Sequence, residues 1–339
     1  MSSVRVGRVL LPCLLILLAE AIQGCSSGGD GDGPQGGATG SGGAGNALGG
    51  GGGSTGLIGT FQLLLNPKVV DTEPYTSIFG TVYGSPYPTD VIETSIASNT
   101  SCNVYRYSRQ SCTSPTCTGS QACVSTNVCK DKPSLVSVGD VTLTGVGDSQ
   151  LKLTAINNNY QYPLELPYPG FAEGSTVTLN AAGGALSPFT LSAKGVAPLA
   201  TKEASYLIAS GKDLSVEWTP GANTEAKISI SLNISKHGGS AGYMRCETTD
   251  SGSFTIPANL LKALTDLGVA GYPELLLVRS TRTETSIAAG KVAFEIAAPA
   301  KPALNVEGYC SCFDSSECGS CSDSTKTVCD SVKKLCHAP

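Results

Sequence analysis

Histidine, tryptophan and charged residues are scarce in this sequence of 339 residues. It contains 2 His and 1 Trp, and 14% of its positions are charged, with a formal net charge of −5. Nucleic-acid binding needs clustered Lys and Arg to face phosphates, so this balance argues against such a partner. Two histidines leave little room for a His-rich metal centre. We therefore predict no nucleic-acid partner, no cofactor and no metal.

The N-terminus carries a short apolar run. Two arginines precede 11 uncharged residues at positions 9–19, which suits an export signal and is too short to span a bilayer as a helix. The following Ile22-Gln23-Gly24-Cys25 resembles the bacterial lipobox, whose Cys becomes the lipidated first residue of the mature chain. The resemblance implies a signal peptide over 1–24 and lipidation of Cys25. Because Ser26 rather than Asp follows the Cys, it also implies an outer-membrane location in the cell envelope.

Glycine is concentrated after this cysteine. Residues 26–56 contain 16 Gly among 31 positions and almost nothing apolar. Such a segment cannot bury enough surface to fold. We predict that residues 25–56 form a disordered, Gly-rich linker that begins at a lipid anchor in the membrane.

The rest of the chain shows short apolar alternations broken by Gly, Pro, Asn and Ser. This pattern predicts an all-β fold of one or more antiparallel β-sandwich domains. Leucines at helical spacing between Pro257 and Gly268 predict one short helix. We expect a small β unit with a cysteine cluster at 57–133, a β-sandwich region at 134–300 that is one domain or two, and a cysteine-rich tail at 301–339.

Twelve cysteines follow Cys25, an even number in tight local clusters. In an exported chain this pattern indicates disulfide bonds. They are Cys102, Cys112, Cys117, Cys123, Cys129, Cys246, Cys310, Cys312, Cys318, Cys321, Cys329 and Cys336. Zinc is the alternative for the C-x-x-C spacing of Cys318 and Cys321, but no second C-x-x-C pair lies at a suitable distance.

The count of cysteines also constrains their pairing. The six tail cysteines can form three bridges among themselves, in any of 15 connectivities. The first cluster holds five cysteines, so one of them needs a partner elsewhere, and Cys246 is the remaining candidate. Cys102 stands apart from the evenly spaced cysteines at 112–129. We predict two local bridges within 112–129 and a bridge from Cys102 to Cys246.

Aromatic residues are dense in one loop. Tyr160, Tyr162, Tyr168 and Phe171 lie within 12 residues, beside Asn and Gln. Aromatic rings next to amides are typical of surfaces that bind glycans or peptides, so these four residues form a candidate binding surface. The alternative is that their rings anchor a long loop onto the sandwich.

No catalytic constellation emerges. Gly238-Gly239-Ser240-Ala241-Gly242 matches the nucleophile elbow of hydrolases, but the only later histidine is His337, in the cysteine-rich tail. Asp250-Ser251-Gly252 matches the aspartic-protease triplet, but no second copy supplies the other carboxylate. We predict no catalytic residues and interpret Asp250-Ser251-Gly252 as a β-turn.

The layout as a whole resembles a group of surface lipoproteins from myxobacteria and their relatives. The resemblance rests on the lipobox, the Gly-rich linker, the cysteine cluster ending at Cys129, Trp218-Thr-Pro-Gly221, and Cys246 followed by 250–257. It implies an exported, β-rich protein and implies no activity.

These features favour a lipid-anchored envelope protein with a non-catalytic binding or structural role, whose ligand would be a glycan or a protein. The alternative is a secreted hydrolase that uses carboxylates to cleave glycans or peptides, because acids alone can cleave glycosides.

Overall fold

The computed structural model describes residues 56–69, 72–147, 150–162, 166–239, 241–321 and 323–339. The predicted signal peptide, Cys25 and all of the predicted linker except Gly56 lie outside these ranges. Within them the chain forms 21 strands, one α-helix and one 3-10 turn, so the predicted all-β fold with one short helix is confirmed. None of the described helices is long and apolar enough to cross a membrane.

The first eleven strands lie before residue 195. They are β1 (Leu57–Asn66), β2 (Tyr75–Val82), β3 (Val91–Ser98), β4 (Cys102–Arg109), β5 (Gln121–Ser125), β6 (Val128–Asp131), β7 (Val141–Thr144), β8 (Leu151–Ile156), β9 (Asn159–Gln161), β10 (Thr176–Ala181) and β11 (Phe189–Lys194).

The helix and the other ten strands follow. They are β12 (Ser205–Ile208), β13 (Leu214–Glu217), β14 (Lys227–Asn233), β15 (Gly242–Thr249), β16 (Ser253–Ile256), α1 (Ala258–Thr265), β17 (Glu274–Ile287), β18 (Gly290–Ala300), β19 (Ala303–Val306), β20 (Val328–Asp330) and β21 (Leu335–His337), with the 3-10 turn at Glu317–Ser320 before β20.

Apolar periodicity accounts for these elements. In β14, Ile228, Ile230 and Leu232 are buried and alternate with more exposed polar residues, as expected for a strand with one face on a core. In β18 nearly every residue is buried, which marks it as a central strand. The helix buries its leucines at positions 260, 261 and 264 and begins directly after Pro257.

Fifteen strands belong to one large sheet. Thirteen of them follow the order β11-β10-β7-β8-β9-β2-β1-β18-β17-β14-β15-β4-β3, while β12 and β19 branch from β17. Most pairs are antiparallel, but β1 with β18 and β12 with β19 are parallel, so the sheet is mixed. The sheet curves until β11 lies against β17 and β18. The ring of Phe189 on β11 thereby lies 6.3 Å from that of Phe61 on β1, across a shared apolar core.

The predicted segment boundaries do not separate sheets. Strands β1 and β2 from segment 57–133 lie between β18 and β9, and β4 pairs with β15. Strand β19, inside the predicted tail, pairs with β12. All the described residues belong to one compact unit. The sequence does not display strand pairs that join distant parts of the chain, so composition shifts alone do not reveal which segments share a sheet.

Candidate functional site

Six disulfides join the twelve cysteines of the body. The pairs are Cys102–Cys246, Cys112–Cys123, Cys117–Cys129, Cys310–Cys321, Cys312–Cys329 and Cys318–Cys336. Cys102 on β4 and Cys246 on β15 are directly opposite each other in the sheet, with Cα atoms 4.0 Å apart. The pairing agrees with the one expected from the count: one long-range bridge, two local bridges and three tail bridges.

The two cysteines of the C-x-x-C motif in the tail are not bonded to each other. Cys318 bonds to Cys336 and Cys321 bonds to Cys310, so the two cysteines belong to different bridges. A disulfide sulfur offers no thiolate, and zinc binds thiolates. These tail cysteines are therefore structural crosslinks.

The aromatic loop turns most of its surface inward. Tyr160 is 1% exposed; its hydroxyl accepts a hydrogen bond from the N–H of Val138 and donates one to the carbonyl of Gly139. Its ring lies 5.6 Å from that of Phe61. Phe171 is also buried. A ligand cannot reach either ring, which favours the anchoring alternative for this pair.

The remaining two rings of this loop are only partly accessible. Tyr162 and Tyr168 are half-buried and pack against the main core. Burial raises the pKa of the Tyr168 phenol. The four aromatic residues therefore do not present one continuous surface.

Asp250 of the protease-like triplet is committed to structural contacts. Its carboxylate accepts hydrogen bonds from Nε1 of Trp218 at 2.7 Å and from the N–H of Gly221 at 2.9 Å, and it forms an ion pair with Arg279. With its oxygens engaged in this way, the carboxylate is not available for acid–base chemistry.

A cleft lies where the disulfide-rich tail meets the sheet. It has a volume of about 360 Å³ and is lined by Tyr272, Pro273 and residues 304–306 and 309–311; we call it the tail cleft. Strand β19 runs along it. This strand pairs with β12 on one edge and, on the other, with β17 only at Ala303. Among the described strands, the edge of β19 beyond Ala303 is therefore open toward the tail cleft.

Exposed aromatic rings surround Tyr272 at this cleft. Phe313 is 66% exposed and its ring lies 5.0 Å from that of Tyr272, while Tyr309 is 50% exposed. His237 meets Tyr272 edge-on at 6.5 Å, and Lys334 lies over the Phe313 ring. Large exposed rings grouped together on a folded surface commonly mark an interaction site.

The hydroxyl of Tyr272 is the unusual atom of the tail cleft. It is enclosed by protein and has no hydrogen-bond partner. Burial, together with the nearby Glu317 carboxylate, raises the pKa of this phenol, so it carries its proton at neutral pH. An enclosed donor without an acceptor is costly.

Gly271 fixes Tyr272 against the tail. Its N–H donates to the carbonyl of Lys333, and its carbonyl accepts from the hydroxyl of Ser311, both at 2.5 Å. Gly271 has a φ of +60°, and a Cβ there would come within 1.8 Å of the carbonyl oxygen of Lys236. Only glycine fits, so this residue holds the two walls of the cleft together.

The tail cleft was missed by sequence reasoning. Its parts come from residues 272–273 and from residues 304–311, which are distant in the chain and are brought together by the pairing of β17 with β19 and by the hydrogen bond from Ser311 to Gly271. The available signal was the presence of Tyr309 and Phe313 in a cysteine-rich segment too small to bury them.

No family model matches this chain, and no curated protein matches it. Among solved structures, a crystal structure of the FN1-FN3 domains of chicken CNTN1 aligns with 8% sequence identity and a TM-score of 0.16. The alignment covers 62% of this chain, and this chain spans 65% of the length of that one. A similarity this low indicates nothing about what the chain binds.

Proposed function

We propose that this protein is a lipid-anchored protein of the outer membrane whose body binds a partner protein without catalysing a reaction. The observation that carries the binding role is the tail cleft, where the open edge of β19 lies beside the exposed rings of Tyr309 and Phe313. The anchor is argued from the sequence alone, from the lipobox-like residues ending at Cys25.

The linker suits display of the body away from the membrane. A Gly-rich coil of the length of residues 26–56 has a root-mean-square span of roughly 30 Å. Bacterial lipidation adds more than one acyl chain, which is what durable membrane attachment requires. A binding body on such a tether could reach partners over that distance while remaining attached.

The form of the tail cleft favours an extended segment of polypeptide as its ligand. The open edge of β19 offers main-chain hydrogen-bonding groups to an added strand. Tyr309 and Phe313 offer apolar area to its side chains. The strand edge and the two rings lie at one cleft, so a single peptide can engage all of them.

The buried carboxylates do not favour the alternative of a hydrolase. Asp250 is paired with Arg279, and Glu295 accepts a hydrogen bond from Gln62 at 2.8 Å. Glycoside cleavage needs two carboxyl groups facing one bond. Neither of these contacts joins two acids, so we argue for binding rather than turnover.

Selection of peptides on the purified full chain tests the cleft. We expect peptides from a random-sequence display library to bind the chain, and Tyr309→Ala, which removes an exposed ring that lines the cleft, to weaken that binding about tenfold. Phe313→Ala should also weaken peptide binding. Phe79→Ala is the matched control, because Phe79 is an exposed phenylalanine away from the cleft. Failure to enrich any peptide, or equal loss with Phe79→Ala, would refute the cleft as the site.

Acyl labelling tests the anchor. Cys25→Ser should abolish labelling and move the protein from the membrane fraction to the soluble fraction, because the thiol that takes the lipid is gone. Cys13→Ser is the control, since Cys13 lies in the predicted signal peptide and is removed with it. Membrane fractionation that survives Cys25→Ser would contradict the proposal.

A further inference from the structure

Three tyrosines form a second aromatic cluster, on the sheet face opposite the buried Val104 and Met244. Tyr243 on β15 lies directly opposite Tyr105 on β4, with ring centroids 5.1 Å apart and planes 26° apart. The ring of Tyr107 is also 5.1 Å from that of Tyr243. We call these three residues the tyrosine row. Tyr243 is 4% exposed, whereas the two tyrosines of β4 are partly exposed and can meet a ligand.

Arg245 lies at one end of the tyrosine row. It is two residues beyond Tyr243 on the same face of β15, and its guanidinium carbon is 5.2 Å from the centre of the Tyr243 ring. The Nε of Arg245 is enclosed and has no hydrogen-bond partner. Arg245 as a whole is only partly buried, so the accessible part of a guanidinium held in this way against an aromatic ring is suited to receive an anionic oxygen. Asn103, directly opposite Arg245, adds an amide at this end.

Glu93 lies at the other end of the row. It pairs with Tyr107 across β3 and β4. Burial, and then this carboxylate, which hydrogen-bonds to Tyr243, raise the pKa of the Tyr243 phenol against the opposing effect of Arg245. The far end of the row thus carries Glu93 and the Arg109–Asp90 ion pair, so a bound anion is best placed at the Arg245 end.

The geometry points to a second binding site, at which an oligosaccharide bearing carboxylate groups lies along the tyrosine row with one carboxylate on Arg245. Sugar rings place C–H groups against aromatic rings, and their hydroxyls can reach the amide of Asn103. A guanidinium binds a carboxylate through paired hydrogen bonds.

Other ligand classes use less of this surface. A neutral oligosaccharide leaves Arg245 without a charged partner. An acidic peptide offers the carboxylate but no sugar ring for Tyr105 and Tyr107. The net charge of −5 repels polyanions in general, so binding of an acidic glycan has to depend on this local site. The site lies on β4 and β15, apart from the tail cleft, and does not rest on the proposed peptide binding.

Calorimetric titration of the purified full chain tests this site. We expect saturable binding of an oligogalacturonate, and binding at least about tenfold weaker for a galactose oligomer of equal length and for an oligoglutamate. Arg245→Gln should weaken binding of the oligogalacturonate about tenfold. Arg109→Gln is the matched control: this arginine lies on β4 beyond Tyr107, at the far end of the row, and is paired with Asp90 at 2.6 Å, so its loss should change affinity less than about twofold.

Tyr107→Leu provides a second variant, at a partly exposed position, and should also weaken binding of the oligogalacturonate. Thermal unfolding of each variant shows whether it is folded. If Arg245→Gln does not fold, the inference is tested by Tyr107→Leu and by the comparison of the three ligands on the wild-type chain. No saturable binding, equal affinity for the three oligomers, tighter binding of the oligoglutamate, or wild-type affinity in folded Arg245→Gln would each overturn the inference.

Discussion

The Nε of Arg279 donates to Oδ2 of Asp250 over 2.7 Å, and the two side chains are 1% and 4% exposed. A second bond from the same guanidinium reaches Oδ1 at 3.1 Å, and its other donors reach the carbonyls of Ala197, Pro198 and Thr219. Five donated hydrogen bonds match the full capacity of an arginine. The pair thus ties β17 to three separate loops, and its role is structural.

Removing the charge of Asp250 should destabilise the fold strongly. Asp250→Asn leaves Arg279 buried without its counter-ion, and breaking a buried pair in this way costs about 3–5 kcal/mol. Urea unfolding followed by circular dichroism measures the loss. Glu217→Gln is the control, because its exposed pair with Lys202 should contribute less than about 1 kcal/mol. Equal effects of the two substitutions would contradict a structural role for the buried pair.

Asp250→Asn should also change how the unfolding free energy depends on pH. Burial favours the neutral acid, but hydrogen bonds from Arg279, the Gly221 N–H and Trp218 outweigh it and hold the pKa of Asp250 below its ordinary value. The stability from this ionised group is present above the unfolded-state pKa of about 3.9 and is lost as pH falls through the lower folded-state pKa. The difference in unfolding free energy between wild type and Asp250→Asn should therefore shrink on acidification below that range. If the difference in unfolding free energy did not change with pH, the lowered pKa of Asp250 would be wrong.

The aromatic loop shows where local sequence reasoning fails. Composition correctly identified a ring-rich segment, but which rings face the core depends on register. Tyr160 lies opposite Gly80 in the pairing of β9 with β2, a contact between residues 80 positions apart. There the ring meets Phe61, which itself lies over Gly80. A shift of one residue would have turned Tyr160 outward, and nothing local distinguishes the two registers.

Loss of the Tyr160 hydroxyl should cost stability rather than binding. Tyr160→Phe removes the partner of the Val138 N–H and of the Gly139 carbonyl, at 2.8 and 3.0 Å. Leaving these enclosed groups unpaired should lower the unfolding free energy by about 1–3 kcal/mol. Tyr162→Phe should change it by less than about 0.5 kcal/mol, because that side chain is only half-buried. Chemical unfolding of both variants compares them; similar small effects would mean that the Tyr160 hydroxyl is not an anchor.

The disulfide pattern was more predictable than the surface chemistry. Counting and spacing were enough to pair Cys102 with Cys246, because five cysteines in one cluster cannot all pair locally. The tyrosine row was not found, although Tyr105 and Tyr107 sit two residues apart as a strand face requires. Its third ring, Tyr243, comes from a distant strand that the Cys102–Cys246 pair itself aligns with β4.

The long-range disulfide should stabilise more than a local one. Cys102 and Cys246 are 144 positions apart, and loop-closure entropy for such a span corresponds to about 5 kcal/mol, against about 3 kcal/mol for the 11 positions between Cys112 and Cys123. Replacing each pair by alanines and measuring unfolding in urea tests the order. A larger loss from the local pair would contradict this ranking.

Gly271 should be required for the junction between tail and body. Gly271→Ala combines a positive φ with a Cβ that collides with the Lys236 carbonyl, so the bonds to Lys333 and Ser311 cannot both persist. We expect a loss of about 2–4 kcal/mol and faster trypsin cleavage in the tail. Gly308→Ala is the control, because Gly308 also has a positive φ but nothing within 4 Å of an added Cβ, so only about 1 kcal/mol of backbone strain is expected. Trypsin digestion and urea unfolding of both variants separate the collision from the strain. If they prove equally stable and equally resistant, the contact at Gly271 does not hold the tail cleft together.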